Sequence, residues 1–146
     1  MEVNTPLIEA KALKKYFKLG ENRYLHAVDN INLQIYKGTT VGIVGESGCG
    51  KSTFGRTLLR LTEATSGEIL YCGENILTFG RQKMKQMRKN MQIIFQDPYA
   101  SVDPRKSVVE IIAEYMLIHH TYPTRREIFN RAAQLMDIVG LARRSA

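Results

Sequence analysis

Residues 45 to 53, Gly-Glu-Ser-Gly-Cys-Gly-Lys-Ser-Thr, put a pliant backbone, one cation and two hydroxyls side by side. The first eight follow the spacing GxxxxGK(S/T), which is that of a phosphate-binding loop. A polyphosphate needs several N–H donors converging on it, and only a loop with little side-chain bulk lets the backbone curl that closely. Gly45, Gly48 and Gly50 supply the freedom, with Glu46, Ser47 and Cys49 between them. The amides from Gly48 to Thr53 can then converge at the positive end of a following helix. Lys51 places an ammonium where the charge of the β- and γ-phosphates is densest. The Ser52 hydroxyl is a hard oxygen ligand for Mg²⁺, and Thr53 can reach the α-phosphate. Cys49 reads as an amide donor that carries a thiol.

Such a loop works only between a strand and a helix. The run 39–45, TTVGIVG, lacks alternation and is bounded by glycines, which predicts a strand covered on both faces. From Lys51, the spacing of Phe54, Leu58 and Leu61 predicts a helix with one apolar stripe. Upstream, 7–17 and 27–38 read as strands, and Ile31, Leu33 and Ile35 alternate with polar neighbours as in a half-buried antiparallel strand. Residues 65–77 read as a turn, a short strand and a second turn at Gly73. A basic helix over 81–90 leads into MQIIFQDP, an apolar strand ended by Asp97-Pro98.

The last fifty or so residues change character, in the way a helical segment does. Residues 107–120 predict one helix, and Pro123 separates it from a second. There Thr124 and Glu127 have capping-box spacing, Ile128, Ala132, Leu135 and Val139 form the stripe, and Gly140 stands at the glycine cap.

Composition bounds the rest. The chain has 146 residues, 44% apolar and 24% charged, which suits a globular domain or part of a larger one. Its start carries Glu2 and no apolar core of a secretory signal, and no run is long enough to span a bilayer as a helix. Cys49 and Cys72 make no disulfide framework and no zinc pattern. The net charge of +7 comes largely from 81–90 and the pairs Arg125/Arg126 and Arg143/Arg144, which read as solvated faces. No nucleic-acid partner is expected. His26, His119 and His120 show no catalytic or metal pattern.

Beyond the loop, residues 27–76 resemble the ATP-binding subunits of ABC transporters almost position by position. IIFQDPYASVDPRKSVVEII (93–112) resembles their Q-loop and the helical subdomain behind it, and the form QDPYAS.DPR is most similar to the oligopeptide, dipeptide and nickel importer branch. The resemblance implies an α/β fold: a P-loop NTPase core with an N-terminal antiparallel β subdomain over 1–97, and the start of an α-helical subdomain over 98–146. It implies ATP and Mg²⁺ as ligands, and Gln96 as the Q-loop glutamine that ligates Mg²⁺ and senses the attacking water. With Lys51 it would form the catalytic pair of this chain. It also implies an aromatic that stacks on adenine about two dozen residues before the loop. Phe17 fits best and adjacent Tyr16 is the alternative, with weak discrimination between ATP and GTP as the consequence.

The expected partners are a second ATP-binding subunit, identical or not, and transmembrane permease subunits met near Tyr99. The expected place is peripheral, on the cytoplasmic face of the inner membrane. Family members carry an LSGGQ-type signature, a catalytic glutamate and a switch histidine beyond the stretch corresponding to this chain. On that reading these residues bind Mg·ATP weakly, hydrolyse it poorly or not at all, and leave apolar faces uncovered. A non-catalytic nucleotide-binding or regulatory piece that docks on a membrane partner is the alternative function. A small-molecule kinase fits less well, because Gln96 stands in a Q-loop context and no arginine-rich lid pattern is present.

Overall fold

A computed structural model describes residues 5–97 and 101–141. The chain divides into two compact units, Met1–Gln92 and Ile93–Ala146.

The first unit is built on an antiparallel sheet. Strands β1 (Ile8–Lys18), β2 (Tyr24–Ile35), β3 (Ser66–Tyr71) and β4 (Glu74–Asn75) lie in the order β2-β1-β3-β4. The expected strand pair forms, with Ala10 opposite both Leu33 and Ile69, Tyr16 opposite His26 and Phe17 opposite Leu25. Register slips three times along the β1–β2 ladder, between Ala10 and Tyr16. Ala12 takes a left-handed conformation in the first slip, and its amide donates to Asn32 Oδ1 at 2.8 Å. A side-chain oxygen thus replaces the ladder bond that the bulge breaks.

One face of this sheet carries the core. Leu13, Val28 and Ile69 pack with Phe54 and Leu58 of helix α1 (Lys51–Leu58) and with Met84 and Met87 of helix α2 (Arg81–Met87). Each fully buried Leu, Ile or Phe side chain contributes about 1.5–3 kcal/mol relative to exposure. The α2 spacing puts its two methionines inward and its basic side chains outward, as the solvated-face reading requires. Thr57 is fully buried on α1, and its hydroxyl donates to the Thr53 carbonyl at 2.7 Å. A polar group is therefore satisfied inside its own helix.

Helix α1 is shorter than its apolar stripe suggests. Arg60 turns left-handed just past it, and the guanidinium Nη1 donates to the Ile76 and Phe79 carbonyls at 3.0 and 2.7 Å. That anchor binds the helix exit to the 3₁₀ turn Ile76–Thr78. Leu61 consequently leaves the helix and stands exposed, whereas Phe54 and Leu58 are buried as expected.

Two expected strands do not form. Residues 39–45 and 91–95 have no strand assignment, Val44 is 92% exposed and Ile94 is 97% exposed. A strand covered on both faces needs ladder partners and packing layers on each side. Among the described residues every strand already belongs to the four-stranded antiparallel sheet, and neither run pairs with it.

The second unit holds helices α3 (Val108–His119) and α4 (Arg125–Ile138). Ala113 and Met116 meet Ile128 and Ala132, and the two alanines are fully buried, so the helices approach closely there. Both helices begin with a complete capping box, Ser107 with Glu110 and Thr124 with Glu127. The inward line on α4 is Ile128, Ala132 and Met136; Val139, expected on it, is exposed because the helix ends at Ile138. Gly140 does take the left-handed turn of a C-terminal glycine cap. No helix among the described residues is long and apolar enough to cross a membrane.

Candidate functional site

The loop 45–50 runs into α1 through Gly50, the N-cap residue, at φ 98°. No side chain caps this helix, and its first turn holds no acidic residue. The leading amides of α1 therefore present their positive end to whatever lies before them, the arrangement that suits an anion. Gly50 is required twice over: by its left-handed backbone, and because an added Cβ would stand 2.1 Å from the Ala27 carbonyl oxygen. The loop is thereby pressed against β2 at Ala27. Gly48, at φ 80°, lets the chain reverse where the Cys49 amide bonds back to the Glu46 carbonyl at 3.4 Å.

Lys51 closes the ring. Its ammonium donates to the Gly45 carbonyl at 2.8 Å, to the Glu46 carbonyl at 2.6 Å and to Cys49 Sγ at 3.6 Å. The cation is thus held over the loop it follows, its protons directed at neutral acceptors. Anionic phosphate oxygens accept such protons more strongly than carbonyls do. Ser52 is exposed in the first turn and Thr53, next to it, is half-buried. Glu46, Ser47 and Cys49 are exposed along the loop. Beside it a cavity of about 560 Å³ opens between β2, residues 41–44 and the start of α1, with Lys51 and Phe54 in its wall.

The two aromatic candidates have different surroundings. Tyr16 stacks on His26, with centroids 3.8 Å apart and planes within 10°, and donates its hydroxyl to Asp29 Oδ1 at 2.5 Å. That bond, opposed by partial desolvation and aided by Lys14 and His26, holds the Asp29 carboxyl below the ordinary carboxylate range. The same bond pushes the Tyr16 phenol upward. Phe17 has no such engagement on its rim. It is 37% exposed, and the Lys15 ammonium lies 4.7 Å from its ring centroid. It pairs with Leu25, two residues along β2 from the Ala27 carbonyl that Gly50 touches. Two residues of strand span roughly 7 Å.

Phe17 and residues 45–53 thus lie in the first unit, around one end of β2. Gln96 lies in the second unit, exposed at a bend outside any strand. Tyr99 falls outside the described residues, as do Arg143 and Arg144. Sequence reasoning missed the Tyr16–His26–Asp29 group, which arises from cross-strand register and leaves no short-range pattern. It also passed over Ser107 and Glu110, whose S-x-x-E spacing was a legible signal.

The sequence profile described as "ABC transporter" matches residues 28–146. The oligopeptide transport ATP-binding protein OppF of Bacillus subtilis is 48% identical over 141 residues, covering 96% of this chain and 46% of that protein. The dipeptide transport ATP-binding protein DppF of Haemophilus influenzae is 40% identical over 143 residues, covering 94% and 43%. The chain therefore spans less than half the length of these curated relatives. Among solved structures, the dimeric post-hydrolysis state of the ATP-binding cassette MJ0796 bound to ADP and Pi superposes with a TM-score of 0.77 at 25% identity. It covers 95% of this chain and 60% of the cassette.

Proposed function

Because this chain belongs to the ABC transporter family, we propose that it is the ATP-binding part of a transport ATPase subunit that energises import of oligopeptide- or dipeptide-like substrates. The observation that carries the reading is the closed cradle. Gly50 seats an uncapped, acid-free helix start against β2, and Lys51 holds a cation over the loop. The importer branch rests on relatives sharing 38–48% identity with this chain, which are oligopeptide transport ATP-binding proteins.

In this reading the amides of residues 45–53 receive the phosphates, and Lys51 turns from the Gly45 and Glu46 carbonyls to the β- and γ-phosphate oxygens. Phe17 offers a flat face to adenine without reading its edges, so GTP competes with ATP. Ser52 would hold Mg²⁺, whose charge would offset that of the phosphates, and Gln96 is proposed for the same ion on the family resemblance alone. Gln96 also orients the attacking water, linking phosphate contact to movement of the segment behind it. Hydrolysis further needs an acid to polarise that water, and no carboxylate of this chain is assigned the task. Nucleotide binding with little turnover is the activity proposed for the 146 residues alone. In the complete subunit a second ATP-binding subunit and transmembrane permease subunits are the partners, at the cytoplasmic face of the inner membrane.

Deleting the gene in an auxotroph supplied with its required amino acid only as short peptides tests the substrate class. Growth should stop on peptides and continue on the free amino acid. Undiminished growth on every peptide length, with no compensating system present, contradicts the assignment.

A further inference from the structure

We propose that Lys15 is a positioning residue for the nucleotide base, backing the Phe17 ring with its ammonium so that the opposite ring face is presented, fixed and electron-poor, to a purine. The inference rests on the reading of Phe17 as the base platform and adds a residue to it.

Three observations carry it. The Lys15 ammonium stands 4.7 Å from the Phe17 centroid, well inside the range at which a cation and an aromatic face attract. Lys15 has no carboxylate in ion-pair range among the described residues. By contrast Lys11 meets Glu9, Lys14 meets Asp29, Lys83 meets Glu74 and Lys106 meets Glu114. Even Lys83, which lies over Phe79, is shared with an acid. Finally, Lys15 is half-buried while Phe17 keeps 37% of its surface open, so the ammonium is partly sheltered and the ring still has surface to offer a ligand.

The physical effect follows from ring electrostatics. A cation over one face draws π density toward itself and lessens the repulsion that an incoming π-system meets on the other. It also limits the ring's rotation before binding, which reduces the ordering cost on association. Both effects act on the base and neither acts on the phosphates.

The test compares Mg·ATP with Mg·tripolyphosphate, binding to the whole chain by calorimetry, in Lys15→Met, Lys15→Arg, Phe17→Leu and the double variant Lys15→Met/Phe17→Leu. Lys15→Met should weaken ATP about threefold while leaving tripolyphosphate unchanged, Lys15→Arg should restore ATP affinity, and Lys15→Met should add nothing to Phe17→Leu. Unaltered tripolyphosphate binding also shows that each variant is folded. Equal weakening of both ligands by Lys15→Met, or of neither, overturns the role of Lys15 while Phe17→Leu still weakens ATP. If Phe17→Leu itself leaves ATP affinity unchanged, the platform reading falls and the role of Lys15 with it.

Discussion

Gly50 lies so near Ala27 that a methyl group added to it would stand 2.1 Å from the Ala27 carbonyl oxygen. This approach joins the loop to β2 and sets where the start of α1 can point. Gly50→Ala must therefore displace the loop or the strand. A loss of about 2 kcal/mol or more is expected in urea unfolding followed by the tyrosines of the β1–β2 ladder. Gly48→Ala is the control, since its φ of 80° is strained for alanine but its Cβ would meet nothing within 4 Å. It should cost about 1 kcal/mol. Equal losses in the two variants would show that the close approach is not what holds the loop.

Asp29 and Tyr16 make the outer end of the β1–β2 ladder sensitive to pH in a definite direction. The Asp29 pKa is lowered in the folded chain, first by the Tyr16 hydroxyl. Its contribution is therefore present above the unfolded carboxylate pKa and is lost as pH falls through the folded value. The Tyr16 pKa is raised, first by Asp29, so that contribution holds below the unfolded phenol pKa and is lost as pH rises through the folded one. Tyr16→Phe should move the Asp29 titration back up toward the ordinary range, read from its side-chain carbon resonance. An unmoved Asp29 titration would show that the hydroxyl bond is absent in solution.

Two capping boxes, rather than a large core, start the helices of the second unit. Thr124→Ala removes the hydroxyl that accepts from the Glu127 amide at 3.2 Å. It should lower the helical melting stability by about 1 kcal/mol, and Ser107→Ala on α3 should do the same. Thr124→Asp, which keeps an acceptor, should recover most of the loss. A melt unchanged in either alanine variant would mean that packing of Ala113 against Ala132 alone decides helix formation.

Elements whose partners are near in sequence were legible in advance. The alternation at Ile31, Leu33 and Ile35 gave β2, Thr124 and Glu127 marked the start of α4, and Gly140 marked its end. All three signals rest on local chemistry. The runs around Ile43 and Ile94 carry equally strong apolar patterns, yet pattern records only what a strand would bury and not whether a neighbour pairs with it. Helix α1 ended early for a comparable reason. The Arg60 anchor to Ile76 and Phe79 is a long-range contact that no periodicity announces. In the site, loop spacing located Lys51 and its glycines, whereas the stacking of Tyr16 on His26 and the place of Lys15 over Phe17 depend on strand register and side-chain direction.

The central claim is that the amides of residues 45–53 and the Lys51 ammonium receive the phosphates of a nucleotide. Amide resonances of the isotopically labelled chain, followed during titration with Mg·ATP, test it most directly. The account predicts saturable shifts centred on residues 45–53, and an affinity about tenfold or more weaker in Lys51→Ala. A well-dispersed spectrum in which those resonances stay still at millimolar nucleotide, or a Lys51→Ala chain that binds equally well, would contradict it.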